Sequence, residues 1–368
     1  MQDLDARVWQ LIEESQKLPL SALQLDLLQE AVALADAHQR IDLGIAARWD
    51  LMVVARNLLR GDVLTVAFTW CLAKYDRDPK PFHGQDLIWF YQMVIGQLAN
   101  LPDVPRRKLE EMLDDLGRRL RESGRSLAPV YVTRRSIAAD LGDPELARYD
   151  DEALRRCRLG QGEGAFGDLR DEMETALFLG EEEKALRLGQ AIVQGRRSQH
   201  SAELSADCAS LLLIPLWKRG RIDEAKQLEK VCWRSFHPEQ CYYWWHGELL
   251  KWLTLADKLP RAISVYEACQ KAIHAYTDPL SRLHFALDAG VLFDRLRREG
   301  RRRLPLRLPE WLPVTANEGQ YSVAELGDWL LQEAAELADR FDRRNGNDYF
   351  RKQRQQRNEL SNLRPVGE

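Results

Sequence analysis

Apolar residues along this chain recur at helical intervals. In LGIAARWDLMVVARNLL, Ile45, Trp49, Met52, Val53 and Leu59 fall at spacings near three and four, the mark of a helix that buries one face. Alternation of Val, Ile and Thr does not last anywhere, and no Asn-Gly or Asp-Gly turn separates two such runs, so strand signals are nearly absent. The pattern predicts an all-α chain.

Where the helices stop is more informative than where they run. Five turns look alike: RGDVLTVA at Gly61, LGDPELA at Gly142, LGEEEKA at Gly180, RGRIDEA at Gly220 and ADKLPRA at Asp257. In four of them an alanine stands five residues after the Gly or Asp (Ala147, Ala185, Ala225, Ala262), and at Gly61 that slot holds Val66. Glycine takes the left-handed conformation that ends one helix, an acidic residue or proline starts the next, and a small alanine lets the second helix lie close against the first. Each unit is therefore expected to be a helical hairpin. The intervals between these turns are 81, 38, 40 and 37 residues. The first is about twice forty, which places a degenerate turn in QLANLPDVPRRKLEEML near residue 101, and Gly300 in RLRREGRRR supplies the next. A fixed period of this length is the signature of stacked helical hairpins.

The Gly-x4-Ala element, with large apolar residues in the first helix of each pair, resembles the tetratricopeptide repeat (TPR) superfamily. The resemblance covers residues 40 to 300. It departs from the usual pattern in its longer period, in losing most of the Trp/Leu-Gly/Tyr signature of the first helix, and in losing the proline that closes the unit. The units are more similar to the divergent, longer repeats of bacterial regulatory and scaffold proteins. The resemblance implies a right-handed superhelical α-solenoid of antiparallel helical hairpins. The expected organisation is a helical cap over 1–40, repeats over 41–300, a Pro/Arg-rich loop over 301–320, a capping helix over 321–345 with Val323, Leu326, Leu330, Ala334, Leu337 and Phe341 on one face, and a polar tail over 346–368.

In the TPR family certain first-helix positions line a concave groove. Counting back from each turn, the resemblance assigns Arg48, Tyr91, Arg170, Glu174, Asp207, Ser210, Trp217, Lys218, Trp244, Gly247, Lys251, Thr254 and Arg297 to that groove. It divides the aromatic cluster CYYWWHGELLKWL, which begins at Cys241. Leu249, Leu250 and Leu253 face the paired helix, Trp245 and Trp252 pack in the core, and Trp244 with Lys251 remains for a ligand. A tryptophan and a lysine on a concave surface suit an extended peptide. The mixed charge of the set points to patterned polar contacts and not to a purely anionic partner.

Composition changes this picture little. The chain has 368 residues, 45% hydrophobic and 30% charged, with a formal net charge of −4. That is ordinary globular composition and argues against wholesale nucleic-acid binding. An acidic first decapeptide without an apolar core following it, and the absence of a run of about 18 apolar residues, predict a cytoplasmic protein with no membrane span. The six cysteines include no CxxC pair and are expected as reduced thiols.

Other chemistry is weaker. Cys232, His237, Cys241 and His246 lack the tight ligand pairs of a structural zinc site, so no metal or other cofactor is expected. GQGEGAFGD, from Gly160, lacks the strand before it and the Lys-Ser/Thr that a phosphate loop needs. RLRREGRRRLPLRLP holds seven arginines and one acid. Arg295, Arg297, Arg298, Arg301, Arg302 and Arg303 form a candidate patch for nucleic acid or another anionic partner, though cations also simply favour a helix C-terminus. The primary expectation is a non-enzymatic scaffold or adaptor that binds a peptide or partner protein. A regulatory protein working through the arginine patch, or a sensor controlling a separate enzyme, is the alternative.

Overall fold

The computed structural model describes residues 2–58, 60–82, 86–158, 166–193, 202–236, 243–275 and 278–361. Among them the chain is helical apart from connecting turns, one small β-ladder and the segment its two strands enclose, and no helix is long and apolar enough to cross a membrane. The chain divides into two compact units. Unit 1 holds Met1–Ala99, Arg107–Thr133 and 276–278; unit 2 holds the rest.

Unit 1 begins with α1 (Gln2–Gln16), α2 (Ala22–Ala37), α3 (Ile41–Asn57), α4 (Gly61–Tyr75) and α5 (Ile88–Ala99). Each packs on its neighbour in sequence, and α1 also meets α3. Most of α6 (Arg106–Glu122) and the start of α7 (Ala128–Ala138) belong here too. Leu11, Leu28, Met52, Leu64, Ile95 and Leu116 are among its fully enclosed side chains.

Unit 2 continues with α8 (Pro144–Arg158), α9 (Phe166–Phe178), α10 (Glu182–Val193), α11 (Ala202–Lys218), α12 (Ile222–Arg234), α13 (Tyr243–Leu255), α14 (Leu259–Ala275) and α15 (Pro279–Arg298). The helices α9/α10, α11/α12 and α13/α14 pack as pairs. First helices of successive pairs also touch, α11 on α13 and α13 on α15. The helix α15 is buried nearly all round, with Leu283, Phe285, Ala289, Leu292, Phe293 and Leu296 at or below 1% exposure. That is the pattern of a central helix. After it, β1 (Arg303–Leu304) pairs antiparallel with β2 (Tyr321–Ser322). The segment between them, expected as a plain loop, is pinned by buried Leu306, Leu312 and Val314. The chain then enters α16 (Val323–Asn345), started by an N-cap in which the Ser322 hydroxyl accepts from the Glu325 amide at 3.3 Å. All six residues expected on its apolar face are buried.

The turns follow one hydrogen-bond plan. Gly142, Gly180, Gly220 and Gly300 have φ between 61° and 75°, and Asp257 has φ 58°. The next amide reaches back five residues, Asp143 to the Ala138 carbonyl at 2.9 Å and Glu181 to that of Ala176 at 2.8 Å. This is the Schellman closure. The four expected alanines are fully buried. Gly61 departs from the expected frame: it is the first residue of α4, not the stop of α3. Val66 in its slot is 73% exposed. The Arg60 amide bonds the Ala55 carbonyl, so the frame lies two residues earlier, and fully buried Leu64 stands where the alanines stand elsewhere. Two turns that carry no Gly-x4-Ala element share the plan, at Gln39 and Gly124.

The expected polar tail is a correction. Tyr349–Ser361 forms a further helix, α17, packed on α15 and α16. Gly346 ends α16 with φ 73°. The buried carboxylate of Asp342 then accepts from the Phe350 and Arg351 amides at 2.9 and 3.0 Å, which satisfies N–H groups that the first turn of a helix otherwise leaves open. Composition hid this helix because its cap comes from the helix before it.

Ala225→Trp should overpack the α11/α12 pair and lower the free energy of unfolding by about 1–3 kcal/mol or more. Val66→Trp, at an exposed site, should leave it within about 0.5 kcal/mol. Urea titrations of both variants check the turn frame, and equal effects would mean it is misassigned.

Candidate functional site

Unit 2 contains a recess of about 260 Å³. Its walls come from first helices: Arg135 and Asp140 from α7 and the turn after it, Asp171 and Glu174 from α9, Leu211 from α11, Glu248 from α13, and His284 and Asp288 from α15; Arg357 of α17 closes it.

Two ion-pair nodes hold the wall. On α9, Arg170 grips Glu174 bidentately at 2.7 and 2.8 Å and reaches Asp207 on α11 at 2.5 Å. The planar guanidinium fork suits that geometry. On α13, Lys251 bonds Glu248 at 2.7 Å and Asp288 on α15 at 3.2 Å, and Arg357 meets the same Asp288 at 3.0 Å. Both cross-helix pairs, Arg170 with Asp207 and Lys251 with Asp288, span 37 residues, close to the spacing between successive turns. Arg106 with Asp143 and Arg219 with Glu182 share that separation. In each case a basic residue on one helix pair meets an acid on an adjacent one, which ties neighbouring pairs together.

The expected groove residues therefore separate. Arg170, Glu174 and Asp207 meet in one node and Lys251 anchors the other. Ser210 is fully buried and donates to the Asp207 carbonyl at 2.7 Å, which makes it structural. Gly247 is a close approach, since a Cβ there would lie 2.5 Å from Asp288 Oδ2. Thr254 donates to the Leu250 carbonyl at 2.9 Å. Trp217 is half-buried and Lys218 exposed; neither is among the wall residues. Trp245 and Trp252 are core, with exposures of 2% and 0%, and the Trp252 indole donates to Glu229 at 2.8 Å. The side chain of Trp244 lies outside the described residues, as do Cys241 and His237 of the weighed metal set and residues 159–165 of the glycine-rich stretch. Cys71, Cys208, Cys232 and Cys269 are buried free thiols.

Arg48 and Tyr91 belong to unit 1. Arg48 is buried, holds Asp36 at 2.6 and 3.0 Å, and stacks 3.8 Å over Trp70. Tyr91 donates to Asp115 at 2.8 Å and lines a separate recess of about 770 Å³ with Tyr75, Asp76, Asp86, Arg119 and Arg125. There Arg119 pairs with Asp76 and Asp115, and Arg125 with Asp86.

The arginine patch splits as well. Arg295 pairs with Asp257 at 3.1 Å and Glu299 at 2.8 Å. Arg297 donates to Asp328 at 2.6 Å and to the Ala324 carbonyl. Arg298, Arg301, Arg302 and Arg303 are exposed.

Counting back from the turns passed over Arg135, Glu248, His284, Asp288 and Arg357. The signal for Glu248 and Asp288 was present, as charges one turn or one repeat from Lys251. Arg357 sat in the stretch taken for a tail.

The electrostatics of the recess follow from its acids. Glu174 is packed round by protein yet keeps an open edge, and its carboxyl is pushed up to about 7. Lost hydration is the main cause, Asp207 and Asp171 push the same way, and Arg170 opposes them. His284 goes the other way. Burial first, then Arg357, lowers its imidazole to about 3, against the pull of Asp288. No protein-family model matches the chain, and no curated protein matches it in sequence.

A carboxyl raised on folding stabilises the fold fully below its ordinary value of 4.5 and withdraws that contribution as pH climbs to about 7. His284, lowered on folding, adds stability as pH rises from about 3 to 6.5. Glu174→Gln should remove the falling component and leave the rising one. Urea titrations across that range should show wild type losing stability relative to the variant as pH increases. Parallel curves would contradict the assignment.

Proposed function

We propose that this chain is a non-enzymatic scaffold or adaptor, a divergent TPR-like superhelix in which the first helices of successive hairpins bind a peptide or partner protein. A cytoplasmic setting goes with that reading. One observation carries it: side chains from α7, α9, α11, α13 and α15 converge on a single recess. Ion pairs between hairpins hold those side chains in place before any partner arrives, so association adds contacts at little ordering cost. The exposed arginines from Arg301 to Arg303 support the alternative, an anionic partner held outside the recess.

A photo-crosslinking residue placed at Leu211 and, separately, at Arg303 separates the two. In native-cell lysate, the Leu211 probe should capture a discrete protein at both low and high salt, in the wild-type or the Arg357→Ala background. Nucleic acid captured only through Arg303 and lost at high salt would move the function to the arginine patch. No capture through Leu211 in either background would overturn the groove reading.

A further inference from the structure

The helix α17 is held in unit 2 at two points. At its N-terminal end Phe350 is fully buried against Phe341 and His284, and Tyr349 lies 5.6 Å from the Phe178 ring. Two turns later Arg357 reaches into the recess, bonding the His284 carbonyl at 2.9 Å and Asp288 at 3.0 Å. Between these points the inward residues are Gln353 and Arg354, while Arg351, Lys352, Gln355 and Gln356 face solvent. Little apolar surface holds this helix, and a 13-residue helix in water is marginal by itself.

The wall beneath it is acidic. Asp140, Asp171, Glu174, Glu248 and Asp288 line the recess, and among the described residues Arg135 is the one cationic wall residue besides Arg357. Arg170 and Lys251 pair with part of this set from within the wall. Removing α17 would take away one of the two cations on Asp288, leaving Lys251, and the cover on His284.

We propose that α17 is an internal occupant of the recess, and that the partner of unit 2 is an amphipathic helix that replaces it. Such a helix carries an aromatic residue in its first turn and an arginine or lysine seven positions later, matching Phe350 and Arg357. The guanidinium or ammonium takes the place of Arg357 on Asp288, and the ring takes the pocket against Phe341 and His284. This inference rests on the groove reading above and adds the chemistry of the ligand and its competitor.

The test uses the full chain and a fluorescein-labelled peptide of residues 346–361. The chain carrying Phe350→Ala and Arg357→Ala, with its own occupant loosened, should bind the peptide at least ten-fold tighter than wild type does. A peptide with the Arg357 position changed to Ala should lose at least ten-fold of that affinity. NMR titration of His284 gives an independent readout. Its titration should move from about 3 toward the ordinary imidazole range in the variant chain, and fall again when the peptide is added. If the doubly changed chain misfolds by circular dichroism, Arg357→Ala alone carries both measurements. A folded variant that binds the peptide no better than wild type, or whose His284 titration does not move, overturns the proposal. If that happens while Leu211 still crosslinks a partner, the groove reading stands and only the occupant falls.

Discussion

Every hairpin in this chain depends on how a helix is stopped. Among the described residues nine amides reach back five residues to close a helix, from Arg40 onto Ala35 through to Asn347 onto Asp342. The residue that accepts the bond is buried in every case. A helix end leaves carbonyls without partners, and this closure satisfies them while reversing the chain within a few residues. The reversal sets where the next helix begins, and hence which residue falls four positions in, against the first helix. When that residue is alanine, as at Ala185 and Ala225, the two helices approach closely. When it is leucine, as at Leu64, a larger side chain fills the same place.

That dependence explains what could be read from the sequence. A left-handed position favours glycine strongly enough to be seen, so Gly142, Gly180 and Gly220 located their turns and the alanines beyond them. Where the turn did not announce itself through glycine the frame drifted. Gly61 sits just past a turn rather than within it, and Gln39 shows that a closure can be made without glycine at all. The buried face of α16 was legible because six apolar residues keep its period. The helix α17 was not, because its stability comes from Asp342 on the preceding helix and from Arg357 meeting an acid 69 residues earlier in the chain. No local pattern encodes partners that the fold brings together.

The candidate site shows the same division. The repeat resemblance selected Arg170, Glu174, Asp207 and Lys251, and these four lie in the two ion-pair nodes of unit 2. It could not say that they are paired with one another. Buried and half-buried ion pairs contribute little net stability, since desolvation offsets much of the attraction. Their effect here is on register: Arg170 with Asp207 and Lys251 with Asp288 match only when adjacent hairpins stack in step. Residues assigned to bind a partner therefore serve first to build the wall, and the surface left over is the rim of carboxylates.

A recess with such a rim would be costly to leave without a cation. Burial raises the energy of the carboxylates that line it, and the Glu174 carboxyl, pushed up to about 7 chiefly by lost hydration, registers that cost. Arg357, with Lys251, offsets the charge of Asp288 from within the chain. On the proposed reading, a partner's cation would compete with an internal one at high effective concentration, and its apparent affinity would fall in proportion to the fraction of molecules in which α17 has left. Selectivity follows from this competition. A lone cationic side chain cannot match both the ion pair and the aromatic anchor, whereas a helix offering both in the right spacing can. On that reading the attachment of α17 through Phe350 and Arg357 would set the threshold that a partner helix has to exceed.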